Sequence, residues 1–195
     1  MKKLIEPALA FGLVISLIVG ARADIMQQDI SSRVLRLHVI ANSDNPADQA
    51  EKLRVRDLVL EKANAISENI SSVDDAKKIV SENLEVLTSC AKNATSKPVR
   101  AELTTMYFPT RKYDTFTLPA GEYEALRIII GEGRGRNWWC VMFPPLCISA
   151  SEAITEAQSA GLSDEEISFI ANGENAYQYK FKFLEILSKI RDALF

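Results

Sequence analysis

At Pro98 the spacing of apolar residues changes, and that change decides what this 195-residue chain can fold into. Before it, Val55, Leu58, Val59, Ala63, Ile66 and Ile70 recur at three- and four-residue steps, with Lys52, Arg56 and Glu61 on other faces, which predicts an amphipathic helix. Val73, Ala76, Ile79, Val80, Leu84, Leu87 and Ala91 repeat the pattern, and Ser72 with Asp75 makes a capping box, so a second helix follows directly. Beyond Pro98, residues 99–107, 122–131 and 136–143 are extended runs parted by proline and glycine. An earlier strand is expected over residues 33–41, with Val34, Arg36 and His38 on one face and Leu35, Leu37 and Val39 on the other. It stops at Asn42, Ser43, Asp44, Asn45 and Pro46, whose side chains suit a helix start. Gly131, Gly133 and Gly135 can take the backbone angles of a tight turn, so the last two strands are expected to form an antiparallel hairpin. Helical spacing returns over residues 150–160 and 164–171, and again in Tyr177, Phe181, Leu184, Leu187, Ile190 and Leu194. The expected fold is one α+β domain, a mostly antiparallel sheet packed against helices mainly on one face.

The amino terminus reads as an export signal. Lys2 and Lys3 are followed by the small and apolar residues 8–19, and Ala21 and Ala23 stand where a signal peptidase requires small side chains. Residues 1–23 are expected to be a signal peptide cleaved after Ala23, leaving a domain of residues 24–195. Spanning a bilayer takes about 20 apolar residues, and Glu6, Pro7 and Arg22 bound this run, which sets the uncleaved-anchor alternative second. Loss of Lys2, Lys3, Arg22 and Glu6, together plus two, takes the formal charge from −3 to −5. An acidic chain is not suited to nucleic acid, and 47% hydrophobic residues suffice for a full core.

His38 is the only histidine, and no Cys or carboxylate pattern groups with it as a metal site. A Cys/His hydrolase pairing His38 with Cys140 is the enzymatic alternative; a histidine on one face of an early strand is the plainer reading. The glycines around Glu132 and Arg134 lead into a strand and not a helix, which excludes a dinucleotide fingerprint. Cys140 and Cys147 flank Pro144 and Pro145, which can turn the chain back to bring them within disulfide range. In an exported protein that bond is expected, with a stabilisation on the order of 2 to 3 kcal/mol. Cys90 continues an apolar helical stripe and is read as a buried free thiol, with a bond to either other cysteine as the rival. Trp138 and Trp139 must point to opposite sheet faces, so both enter a core only if both faces are covered. An exposed tryptophan beside Arg134 and Arg136 makes a contact patch.

Residues 36–60 (RLHVIANSDNPADQAEKLRVRDLVL) and 118–147 (LPAGEYEALRIIIGEGRGRNWWCVMFPPLC), behind an export signal, resemble the stage II sporulation protein R family of endospore-forming bacteria. The resemblance covers nearly all of the chain after the signal through Cys147 and weakens beyond it. It implies a signalling protein without enzymatic activity or cofactor, secreted from the forespore into the intermembrane space of the sporulation septum. The implied partner is a membrane-embedded aspartic protease of the mother cell, stage II sporulation protein GA, which then processes pro-sigma-E. The resemblance assigns no contact residues. On the chemistry of the turn, Arg134, Arg136, Asn137, Trp138 and Trp139 are the expected partner-binding residues, with the Asn42 to Asp48 loop and Asp57 as a second candidate.

Overall fold

A computed structural model describes residues 2–67, 70, 72–113, 116–146 and 150–171. In chain order these form α1 (Lys2–Ser32), β1 (Leu35–Ile40), α2 (Pro46–Ile66), α3 (Val73–Glu82), α4 (Leu84–Asn93), β2 (Val99–Phe108), β3 (Arg111–Lys112), β4 (Thr117–Leu118), β5 (Gly121–Ile130), β6 (Asn137–Phe143), α5 (Ala150–Ser159) and α6 (Asp164–Ala171). The fold is α+β, with a mostly antiparallel sheet packed against helices. The helical spacing beyond residue 171 lies outside the described residues.

Local signals set the helix boundaries. The Asn45 side chain accepts from Ala47 N at 2.9 Å, and Pro46 opens α2, where a missing N–H costs nothing. The capping box at α3 forms as read: Asp75 N donates to Ser72 Oγ at 3.1 Å. The expected second helix is two, because the chain breaks at Asn83, which caps α3 and precedes α4. Its amide nitrogen donates to the Ile79 carbonyl at 2.9 Å, a side chain competing for the helical backbone.

The four-stranded sheet runs β2-β5-β1-β6. This corrects the expected hairpin: β5 and β6 do not pair, because β1 lies between them, parallel to β5 and antiparallel to β6. The reason is in β1 itself. All six of its residues are buried, and a strand that is apolar on one face and carries Leu37 and Val39 against the other's Arg36 and His38 gains most in the middle of a sheet. The segment 131–136 therefore carries the chain across the end of β1.

Coverage of both faces is the second difference from expectation. Leu35, Leu37 and Val39 of β1 with Leu126, Ile128 and Ile130 of β5 pack against Val55 and Val59 of α2, Val80 of α3 and Leu87 of α4. The opposite face holds Tyr123, Ala125 and Val141 beneath Ile30 of α1, Leu118 of β4, Ala157 of α5 and Ile170 of α6. Each such large aliphatic side chain contributes roughly 1.5–3 kcal/mol by leaving water. The little β3–β4 pair was not expected; two-residue strands carry no readable alternation. Among the described residues no helix is long and apolar enough to cross a membrane. Ala21 and Ala23 lie inside α1, and Ala23 is buried.

Candidate functional site

The two surfaces that the sequence leaves as alternatives are one surface in the fold. Because β5 is parallel to β1 and β6 antiparallel to it, the loop after β1 and the glycine segment before β6 meet at the same end of the sheet. On the glycine-segment side the contact is made by backbone N–H groups. Arg134 N donates to the Asn42 carbonyl at 3.1 Å and Gly135 N to the Ala41 carbonyl at 2.9 Å. Glu132 N donates to Asn42 Oδ1 at 3.0 Å, and Arg136 N to Asp44 Oδ1 at 2.7 Å. Lys52 reaches up from α2, its Nζ donating to the Arg136 carbonyl at 2.9 Å.

Asp48 organises the underside. It accepts from Ser43 Oγ at 2.6 Å and Asn42 Nδ2 at 2.7 Å, and pairs with Lys97 at 3.0 Å. The Ser43 and Asn42 hydrogen bonds, then that from Lys97, hold its carboxyl down at about 2, so it is ionised at neutral pH. Lys97 also pairs with Glu51 at 2.6 Å. Asp48 was part of the second candidate loop; its bracing role was not foreseen, although its place in the first turn of a helix was a usable signal.

What this rigid junction presents outward is arginine and tryptophan. The side chains of Arg134 and Arg136 are 79% and 72% exposed. Each has an acidic neighbour, Glu132 at 3.2 Å and Asp44 at 3.5 Å. Asn137 is exposed, its Oδ1 3.0 Å from His38 Nε2. Trp138 is 36% exposed on the α2 side, with the Arg56 guanidinium 4.2 Å from its ring centre and Asp57 paired to Arg56 at 2.6 Å. Trp139 faces the other way, as strand alternation requires, and is half-buried in a stack on His38 at 3.9 Å. Arg134, Arg136 and Trp138 thus stand at one rim, whereas Asn137 and Trp139 share the opposite face of β6, both against His38.

The Cys/His pairing is not made. His38 stands opposite Trp139 and Leu37 opposite Cys140, so the imidazole and the Cys140 sulfur lie on opposite faces of the sheet. His38 is 3% exposed, and burial depresses its pKa to about 4 against the opposing bond to Asn137, leaving it neutral. Among the described residues no group of three His, Cys, Asp or Glu side chains could hold a metal ion. Cys90 is a free thiol, half-buried and not fully buried as expected, donating to the Leu58 carbonyl at 3.4 Å. Cys147 lies outside the described residues.

The profile of the stage II sporulation protein R family matches residues 31–153, which include both halves of the junction. Stage II sporulation protein R of Bacillus subtilis (strain 168) is 33% identical over 161 residues, covering 78% of this chain and 72% of that protein. No solved structure matches the chain. With the matched span holding β1, the glycine crossover and the Trp138–Trp139 strand, the chain belongs to the stage II sporulation protein R family and serves in sporulation.

Proposed function

We propose that this protein is a secreted signal of sporulation whose junction between the Asn42–Asp48 loop and the 131–136 segment is the receptor-contacting surface. The receptor is the membrane-embedded aspartic protease of the mother cell, stage II sporulation protein GA, and the outcome is processing of pro-sigma-E. Export from the forespore uses residues 1–23, with cleavage after Ala23. That cut leaves the Ile30 end of α1 on the sheet as part of the domain 24–195. The observation that carries the reading is the rim itself: exposed Arg134, Arg136 and Trp138 on a backbone locked by bonds to residues 41–44. Arginine and tryptophan held rigid lose little entropy on binding, which is why they dominate hot spots. A ligand of this kind switches a protease by binding its active arrangement more tightly than its inactive one.

Changing Arg134 and Arg136 together to Ala should lower pro-sigma-E processing at limiting ligand by at least roughly tenfold, the scale of a lost hot-spot contact. Their exposure predicts a change in folding stability within about 0.5 kcal/mol. Purified residues 24–195 added to membranes holding the protease and its substrate give the measurement, and undiminished processing removes this surface from the reading.

The reading also includes a Cys140–Cys147 disulfide in the septal space. Thiol titration of the exported protein, denatured without reductant, should find one reactive thiol per chain, that of Cys90. Three thiols would rule the bond out.

A further inference from the structure

Among the described residues Arg36 is the largest fully buried side chain, and it has no counter-ion. It leaves β1 between the small Ala125 and Val141 of the neighbouring strands. Its guanidinium lies over two rings, 4.0 Å from the centre of Phe108 and 4.8 Å from that of Tyr123. One polar partner is present: Nη2 donates to the Tyr113 hydroxyl at 2.6 Å. Nε and Nη1 donate to nothing, and neither does the buried Trp139 Nε1, whose ring packs on the same Phe108 at 4.7 Å. No described Asp or Glu pairs with Arg36; the other charge acting on it is Arg111, a further cation.

Ring faces attract a cation, but they satisfy none of its N–H donors, and a buried charge without an anion is strongly unfavourable. Removing a whole salt bridge from an interior is often harmless, whereas keeping half of one is not. An interior that retains this half has a use for it.

We propose that Arg36 is the floor of a carboxylate-binding site on the α5–α6 face of the sheet. Tyr113 offers a neutral oxygen where an acidic ligand offers a charged one, and charge-assisted hydrogen bonds are roughly twice as strong. The ligand carboxylate displaces the Tyr113 hydroxyl and takes the free donors of Arg36, with Trp139 Nε1 a further donor on that face. The entry side is marked by exposed Arg111 and half-buried Tyr113 and Trp139, with the Arg111 guanidinium 5.4 Å from the Trp139 ring centre. This site is separate from the rim of Arg134 and Arg136 and does not depend on the receptor reading.

The test is thermal unfolding of the purified protein at neutral pH in sodium acetate, or in a blocked glycyl-glutamyl-glycine peptide, against sodium chloride at matched ionic strength. The carboxylates should raise the midpoint beyond chloride, and Trp139 fluorescence should change with them. Tyr113→Phe removes the competing hydroxyl, so half-maximal effect should need about tenfold less carboxylate, the equivalent of one hydrogen bond to a charged group. Arg36→Met should lose the carboxylate effect while folding at least as well as the native protein in chloride. A peptide effect larger than that of acetate identifies the source as an acidic side chain of a partner protein; equal effects identify a free small acid. The proposal is overturned if Arg36→Met keeps the native carboxylate shift. Should that variant not fold, Tyr113→Phe decides alone: no carboxylate-specific shift, or one no more sensitive than the native protein's, overturns it as well.

Discussion

Gly135→Ala should destabilise the protein by about 1–3 kcal/mol, the cost of forcing an extra methyl into a packed site, and abolish the proposed receptor activation with it. A Cβ at this position would sit 2.3 Å from the Ser43 carbonyl oxygen, 2.6 Å from its carbon and 2.8 Å from Ala41 Cβ. Two of those atoms are backbone, which cannot swing aside as the end of a side chain can. Relief requires the two loops to part, and parting breaks the bonds from Gly135 N to Ala41 and from Arg134 N to Asn42. Gly131 is demanding for a different reason, a left-handed φ of 58° that side chains rarely adopt. Urea unfolding beside the Arg134→Ala/Arg136→Ala protein separates the two effects: the glycine variant loses stability and activity, the arginine variant activity alone. A Gly135→Ala protein as stable as the native one would mean that the loops do not meet.

Acidification should cost on the order of 3 kcal/mol of folding stability between pH 6.5 and about 4, and His38→Phe should flatten that slope. The folded ring is neutral because burial outweighs the hydrogen bond to Asn137, and Arg127, Arg36 and Arg111 add to the depression. The unfolded chain takes up a proton near pH 6.5, whereas the folded one resists until about 4. Across that window the unfolded state binds more protons, so stability is full above it and falls as pH falls. Phenylalanine can keep the stack on Trp139 while removing the titration. Asp48, with its pKa near 2, contributes its own loss mainly at more acid pH. Stability measured by urea at a series of pH values tests this, and a profile flat from 6.5 to 4 would show an imidazole open to water.

Much of the fold was legible because the relevant chemistry is local. Ser72 caps α3 as its capping box implies, and one member of the Asn42–Pro46 cluster, Asn45, caps α2, since an N-cap needs only its own side chain and the next few amides. The three long extended runs are strands to within a residue or two at each end. Trp138 and Trp139 face opposite ways, as any two neighbours in a strand must. The break at Asn83 escaped notice because the apolar spacing passes through it unchanged, and only the Asn83 side chain bonded to Ile79 betrays it.

The candidate site was legible as pieces and not as a place. The Asn42–Asp48 loop and the Arg134–Trp139 segment were each singled out and treated as rivals, because about ninety residues separate them. Arg36 reads from the sequence only as one face of β1, since a charged residue on a half-apolar strand normally points to water. Nothing near it in the chain says that Phe108, Tyr113 and Tyr123 will close around it.

The residues along the chain were therefore sufficient for the type of the long strands and of α2, the starts of α2 and α3, strand faces and family, all properties carried by a few neighbouring side chains or a contiguous motif. The order of the strands was not among them. A glycine-rich link is equally able to close a hairpin or to step over a third strand, and the choice rests on what β1 gains by being buried on both faces. That gain depends on α1, α5 and α6 covering the second face, a sum of contacts between segments far apart in the chain. The same long-range packing buries Arg36 and welds two distant loops into one rim.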